Sequence, residues 1–119
     1  MNIETKTTLA CMSNSRGFQI HDLRGYTLSI GIGSGHYCDN YELAYHAEAN
    51  AYKPTSTMEV AIMSEDGRFV CLPYDVAGNV PASNLGRLIA AVEDHDWERV
   101  CNLCQQDHDD SQNKFPNKV

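Results

Sequence analysis

Tyr26-Thr27-Leu28-Ser29-Ile30-Gly31-Ile32-Gly33 alternates without a slip. Its even positions are Tyr, Leu, Ile and Ile, and its odd positions are Thr, Ser, Gly and Gly. A period of two puts the large side chains on one face of a strand and leaves the other face almost bare. The stretch therefore predicts a β-strand with one face on a core. A Gly/Ser face admits close approach by another backbone or partner, and it equally suits a bulge or a tight bend.

Partners for this strand are legible on both sides. Upstream, Thr8-Leu9-Ala10-Cys11-Met12 is strand-compatible, Ser13-Asn14-Ser15-Arg16-Gly17 is turn chemistry, and residues 18–21 resume an extended pattern. Together they predict a first hairpin with a long loop. Downstream, Met58-Glu59-Val60-Ala61-Ile62-Met63 and Arg68-Phe69-Val70-Cys71-Leu72 flank Ser64-Glu65-Asp66-Gly67, and Asp-Gly between two β-rich runs is a hairpin signature. Residues 73–81 are rich in Gly, Asn and Pro and read as a connection, with Pro81 suited to the first turn of a helix.

The cover for the sheet follows. Leu85, Leu88, Ile89 and Val92 recur at i, i+3, i+4 and i+7, as do Trp97, Val100, Cys101 and Cys104, with Leu103 beside the second set. Asp94 or Asp96 can cap the second helix. The expected fold is thus α+β: a small antiparallel β-sheet of about four strands, followed by two short C-terminal helices packed on one face. Residues 1–106 make a single domain, and residues 107–119 read as a polar, flexible tail. Residues 34–56 are irregular, with one or two helical turns suggested by Tyr41, Ala44, Tyr45 and Glu48.

Composition narrows the function. The 119 residues hold 9 Lys and Arg against 16 Asp and Glu, a formal net charge of -7. An acidic chain lacks the basic footprint that direct nucleic-acid binding requires, and it is repelled by anionic membranes. The opening residues contain no apolar leader and no stretch is long enough to span a bilayer, so a cytoplasmic location is expected. The five cysteines, an odd number in such a setting, are expected to be reduced.

Catalytic patterns do not assemble. Gly31-Ile32-Gly33-Ser34-Gly35 lacks the spacing of a dinucleotide fingerprint and the Gly-Lys-Ser/Thr ending of a P-loop. His36 and Cys38, with His46 further on, supply the ingredients of a nucleophilic dyad or small-ligand site but no arrangement. Cys101-x-x-Cys104 followed by His108 has zinc-ligand spacing, and His36 with Cys38 is the available second pair. The same two cysteines fall on the apolar stripe with Trp97 and Val100, which core packing explains. No enzyme activity, cofactor or metal is therefore expected. A zinc-supported domain and a small enzyme or ligand binder around His36 and Cys38 stand as alternatives. His21 and His95 belong to no pattern and read as solvated or structural.

Two features point to a protein partner. Tyr37, Tyr41, Tyr45 and Tyr52 crowd one segment, and Tyr gives large contact area at low entropic cost, although some could simply cover the sheet. The charge is also uneven. Residues 1–58 hold 4 basic and 5 acidic side chains, whereas residues 59–119 hold 5 basic and 11 acidic ones. Glu93, Asp94, Asp96, Glu98, Asp107, Asp109 and Asp110 stand together, opposed only by Arg99. Such a patch attracts a basic surface and speeds encounter, while part of it also suits a helix N-terminus.

The combination of a short acidic chain, no catalytic motif, a Tyr-rich irregular segment and a polar tail resembles small phage or mobile-element accessory proteins of the anti-CRISPR type. The resemblance implies a non-enzymatic inhibitor in the host cytoplasm. It would block a CRISPR-Cas or other nucleic-acid-handling complex by binding its basic protein surface, without contacting nucleic acid or membrane itself. Tyr37, Tyr41, Tyr45 and the seven acidic residues are the expected contacts, and a homodimer stays open.

Overall fold

The decisive strand sits at the centre of the sheet. In the computed structural model, which describes residues 7–11, 17–32, 38–39, 54–72 and 75–105, β3 spans Tyr26–Gly31. It is joined by β1 (Thr8–Cys11), β2 (Gly17–Leu23), β4 (Thr57–Ser64) and β5 (Val76–Pro81). The order is β1-β2-β3-β4-β5, and every neighbouring pair is antiparallel. Two helices follow, α1 (Leu85–Glu93) and α2 (Trp97–Leu103), after a 3-10 turn over Ala82–Asn84. The architecture is α+β, with one strand more than the sequence predicts.

Register keeps the period-two pattern in phase across the sheet. Phe18 faces Ile30, Ile20 faces Leu28, Leu28 faces Ile62, and Ile30 faces Val60. These side chains share one face, and a one-residue slip would turn all of them outward. Leu28, Val60 and Ile62 are fully buried in one cluster with Leu88, Ala91, Val92, Val100, Cys101 and Cys104 of the helices. Burying a Leu or Ile side chain contributes about 1.5–3 kcal/mol, so this face is what fixes the helices to the sheet. On the other face the small side chains predominate, and Gln19 Nε2 donates to Ser29 Oγ at 3.5 Å.

The β2–β3 turn consists of Arg24 and Gly25, both left-handed at φ 54° and 94°. Two such residues give the hairpin turn whose twist matches that of the flanking strands. The Asp-Gly turn after β4 also forms, with Ser64 N donating to Arg68 O and Gly67 at φ 82°. Its return arm, however, does not become the strand expected over residues 68–72. Beyond the turn's own bond, it makes the Met63–Phe69 bridge and a bond from Val70 N to Ile62 O. The pairing partner of β4 is instead residues 76–81, read from sequence as a connection. Met58 pairs with Val80 but Val60 pairs with Ala77, so one extra residue is accommodated in β5 as a bulge. Asn79 sits at φ 54° there, and Asn tolerates the left-handed region. Pro81 closes this edge strand, where its missing N–H costs nothing; it precedes the 3-10 turn rather than lying in a helix.

Both helical stripes are as read. Leu88 and Val92 are buried, Leu85 and Ile89 half-buried, and Ala91 turns inward as well. Asn84 Nδ2 donates to Leu103 O at 2.9 Å, tying the start of α1 to the end of α2 as an antiparallel hairpin. Of the two candidate caps, Asp96 fills the role: its carboxylate accepts from Arg99 N at 3.2 Å. The suggested helical turns of residues 41–52 and the tail from residue 107 lie outside the described residues.

Candidate interaction site

The α1–α2 joint is built on a residue in an uncommon position. Asp96 N donates to Ala91 O and His95 N to Val92 O, each at 3.0 Å, the two bonds of a Schellman ending. Such an ending needs a left-handed residue, usually Gly, and here it is His95 at φ 55°. That conformation costs a non-glycine residue about 1 kcal/mol. What offsets it is the imidazole. Its ring stacks on Trp97 (centroids 5.5 Å apart, planes at 11°) and meets Tyr26 edge-on at 5.0 Å, while Nε2 lies 2.9 Å from Arg24 O. Tyr26 and Trp97 are themselves in T-shaped contact at 4.8 Å. Aromatic pairs contribute about 0.5–1.5 kcal/mol each, so the ring contacts and the hydrogen bond outweigh the backbone cost.

His95 thereby latches the helix joint to the β2–β3 turn and closes one side of a cleft of about 430 Å³. Arg24, Gly25 and Tyr26 form a second wall, and Ser64, Glu65 and Asp66 of the β4 turn a third. A smaller cleft of about 210 Å³ adjoins it, sharing Gly25, Tyr26, Ser64 and Glu65 and adding His21, Asp22 and Thr27. Asp66 accepts a hydrogen bond from the Ser64 hydroxyl, which is the main reason its carboxyl is held below the usual range. Arg68 approaches Asp66 at 3.7 Å, both side chains being largely in solvent, so that ion pair contributes little.

The expected contact residues divide clearly. Glu93, Asp94, Asp96 and Glu98 are all exposed at the joint, either side of His95. Tyr37, Tyr41, Tyr45, Asp107, Asp109 and Asp110 lie outside the described residues, as do His36 and His108. Sequence reading missed Glu65 and Asp66, which the hairpin carries to the same cleft. It also missed the role of His95, for which the only signal was a His between two Asp at a helix end. Glu65 and Asp66 thus line a cleft with Arg24 and His95, and His95 is flanked in the chain by the exposed Glu93, Asp94, Asp96 and Glu98.

The metal-candidate cysteines go elsewhere. Cys101 and Cys104 are buried at 0% and 1% exposure within the core cluster, and Cys38 is buried at 4%. Beside Cys38, Asp39 N donates to Thr57 Oγ1 at 2.8 Å, and Asp39 is held below the usual carboxylate range by hydrogen bonds from Ser56. Among the described residues, no three His, Cys, Asp or Glu side chains are placed to hold a metal ion. No described helix is long and apolar enough to cross a membrane.

No protein-family model matches the chain, and neither the curated proteins nor the solved structures include a significant match to it.

Proposed function

We propose that the protein is a non-enzymatic binding protein whose acidic end docks on the basic surface of a nucleic-acid-handling protein and blocks it, in the manner of small phage-encoded anti-CRISPR inhibitors acting in the host cytoplasm. The observation that carries this reading is that Glu65 and Asp66 of the β4 turn line a cleft with His95, which is flanked in the chain by the exposed Glu93, Asp94, Asp96 and Glu98 of the helix joint. A solvated helix end would account for Glu93 to Glu98 alone. It does not account for Glu65 and Asp66 arriving there from the other side. Opposed charge on a partner speeds encounter and fixes orientation, and it competes directly with phosphate for the same Lys and Arg side chains.

The test is capture on the immobilised chain from bacterial lysate, followed by a displacement assay. A basic nucleic-acid-binding protein should be retained, should elute as salt rises, and should release its nucleic acid when the free chain is added. Retention that ignores salt, or a partner that keeps its nucleic acid, overturns the reading.

A further inference from the structure

The cysteine pairing suggested by sequence spacing is not the one the fold makes. Cys101-x-x-Cys104 lies along one helix, yet the nearest thiol contact of Cys101 comes from 30 residues away: Cys71 Sγ is 3.6 Å from Cys101 Sγ. Two further sulfur contacts hold the arrangement. Cys101 Sγ donates to Cys71 O at 3.6 Å, and Cys71 Sγ donates to Trp97 O at 3.8 Å. Both sulfurs are buried, Cys71 at 3% exposure and Cys101 at 0%.

Burial alone would make these thiols inert. The segment carrying Cys71 argues otherwise. Cys71 stands at φ 80° and Asp75 at φ 68°, two non-glycine residues in the left-handed region within five positions. Among its described residues, Leu72 N bonds to Val70 O and Asp75 N to Leu72 O, both short-range. A segment strained at two positions and held by short-range bonds is drawn from the low-stability end of a structure, so it opens more readily than the strands beneath it. Opening it lifts Cys71 aside and uncovers the sulfur of Cys101, which stays anchored on α2.

We infer that Cys71 and Cys101 form a modification site for hydrogen peroxide, at which the two thiols are converted to a disulfide that fastens the segment after β4 to α2. Cys101 is the sulfur that reacts first. The neighbouring Cys71 S–H favours its thiolate, lowering the Cys101 thiol, whereas Cys71 itself is pushed up. The Cys101 thiolate attacks one peroxide oxygen: an S–O bond forms, the O–O bond breaks, and hydroxide leaves to take up the proton that Cys101 released. Cys71 sulfur then attacks the sulfenic Cys101 sulfur. The S–S bond forms, the S–O bond breaks, and hydroxide departs with the Cys71 proton as a second water. Two thiols are oxidised and one hydroperoxide is reduced. A disulfide needs the sulfurs about 2.05 Å apart, so they must close by roughly 1.5 Å.

Peptide mapping of the intact, reduced chain tests this. Hydrogen peroxide is added to the folded protein, remaining thiols are alkylated after denaturation, and tryptic peptides are sequenced by mass spectrometry. The expected product joins the peptide of Cys71 to that of Cys101, with fragment ions placing the link on Cys101 and an alkyl group on Cys104. Cys104→Ser should keep the link and Cys101→Ser should abolish it. The linked protein should melt several degrees higher and return to its starting value with dithiothreitol. Three results overturn the inference: all thiols still alkylated where free cysteine is oxidised, a link confined to Cys101 and Cys104, or over-oxidised Cys101 beside an alkylated Cys71. All three are read on the wild-type chain, so a variant that fails to fold does not obscure the answer.

Discussion

At the scale of single residues, His95 and Cys104 show environment deciding chemistry. His95 keeps a left-handed backbone because its ring is held by Trp97, Tyr26 and Arg24. Its two truncations should therefore differ. His95→Gly loses the ring but relieves the backbone, whereas His95→Ala loses the ring and keeps the cost. Denaturant midpoints should rank Ala below Gly by about 1 kcal/mol; equal stability would mean the joint does not hold its conformation. Cys104 makes a prediction about pH. Burial, reinforced by charge at Cys101, pushes its thiol from 9.0 up to about 12. Between those values the folded state holds a proton that the unfolded state has lost. Stability is then fully present below pH 9 and falls as pH rises toward 12. Cys104→Ala should flatten that part of a stability-versus-pH curve, and an unchanged slope would refute the assignment. Neither role was readable alone: His95 read as solvated or structural, and Cys104 read as core, with a zinc ligand as the alternative.

Elements were legible wherever one periodicity ran unbroken. The alternation from Tyr26 to Gly31 gave β3, and the i, i+3, i+4, i+7 stripes gave both helices and their buried faces. Asp96 as cap was one of two choices offered by sequence, and Asp96→Ala should lower stability by about 1 kcal/mol in thermal melts. Asp94→Ala should leave stability nearly unchanged, since Asp94 is exposed and no cap bond is made to its side chain. β5 was illegible for a physical reason. Its bulge puts Asn79 at positive φ and breaks the period of two, so Gly78-Asn79 and Pro81 carry turn chemistry inside a paired strand. Conversely, Arg68 to Leu72 has strand composition but pairs only with the end of β4, Ile62 to Ser64, because β5 already occupies Thr57 to Ala61. Composition proposes strands; competition for a neighbour selects among them.

For the whole molecule, the charge asymmetry seen in the sequence becomes a geometry. Four of the expected contact acids lie at the helix joint, and the β4 turn brings two more to the cleft that His95 lines. The sequence revealed that the second half was acidic but not that Glu65 would share a cleft with His95, since that placement depends on how the sheet and helix hairpin pack. Cys71 and Cys101 were hidden for the same reason: no local spacing announces a contact between residues 30 apart. The central claim, an acidic end made for a basic partner, is tested most directly by association kinetics. The captured partner's rate should be measured against wild type and against Glu65→Lys/Glu93→Lys/Asp94→Lys/Glu98→Lys, at low and high salt, leaving the Asp96 cap intact. Wild type should associate at least ~10-fold faster than the variant at low salt, and the gap should close as screening shortens the field. Equal rates for the two proteins, or a wild-type rate indifferent to salt, would contradict it.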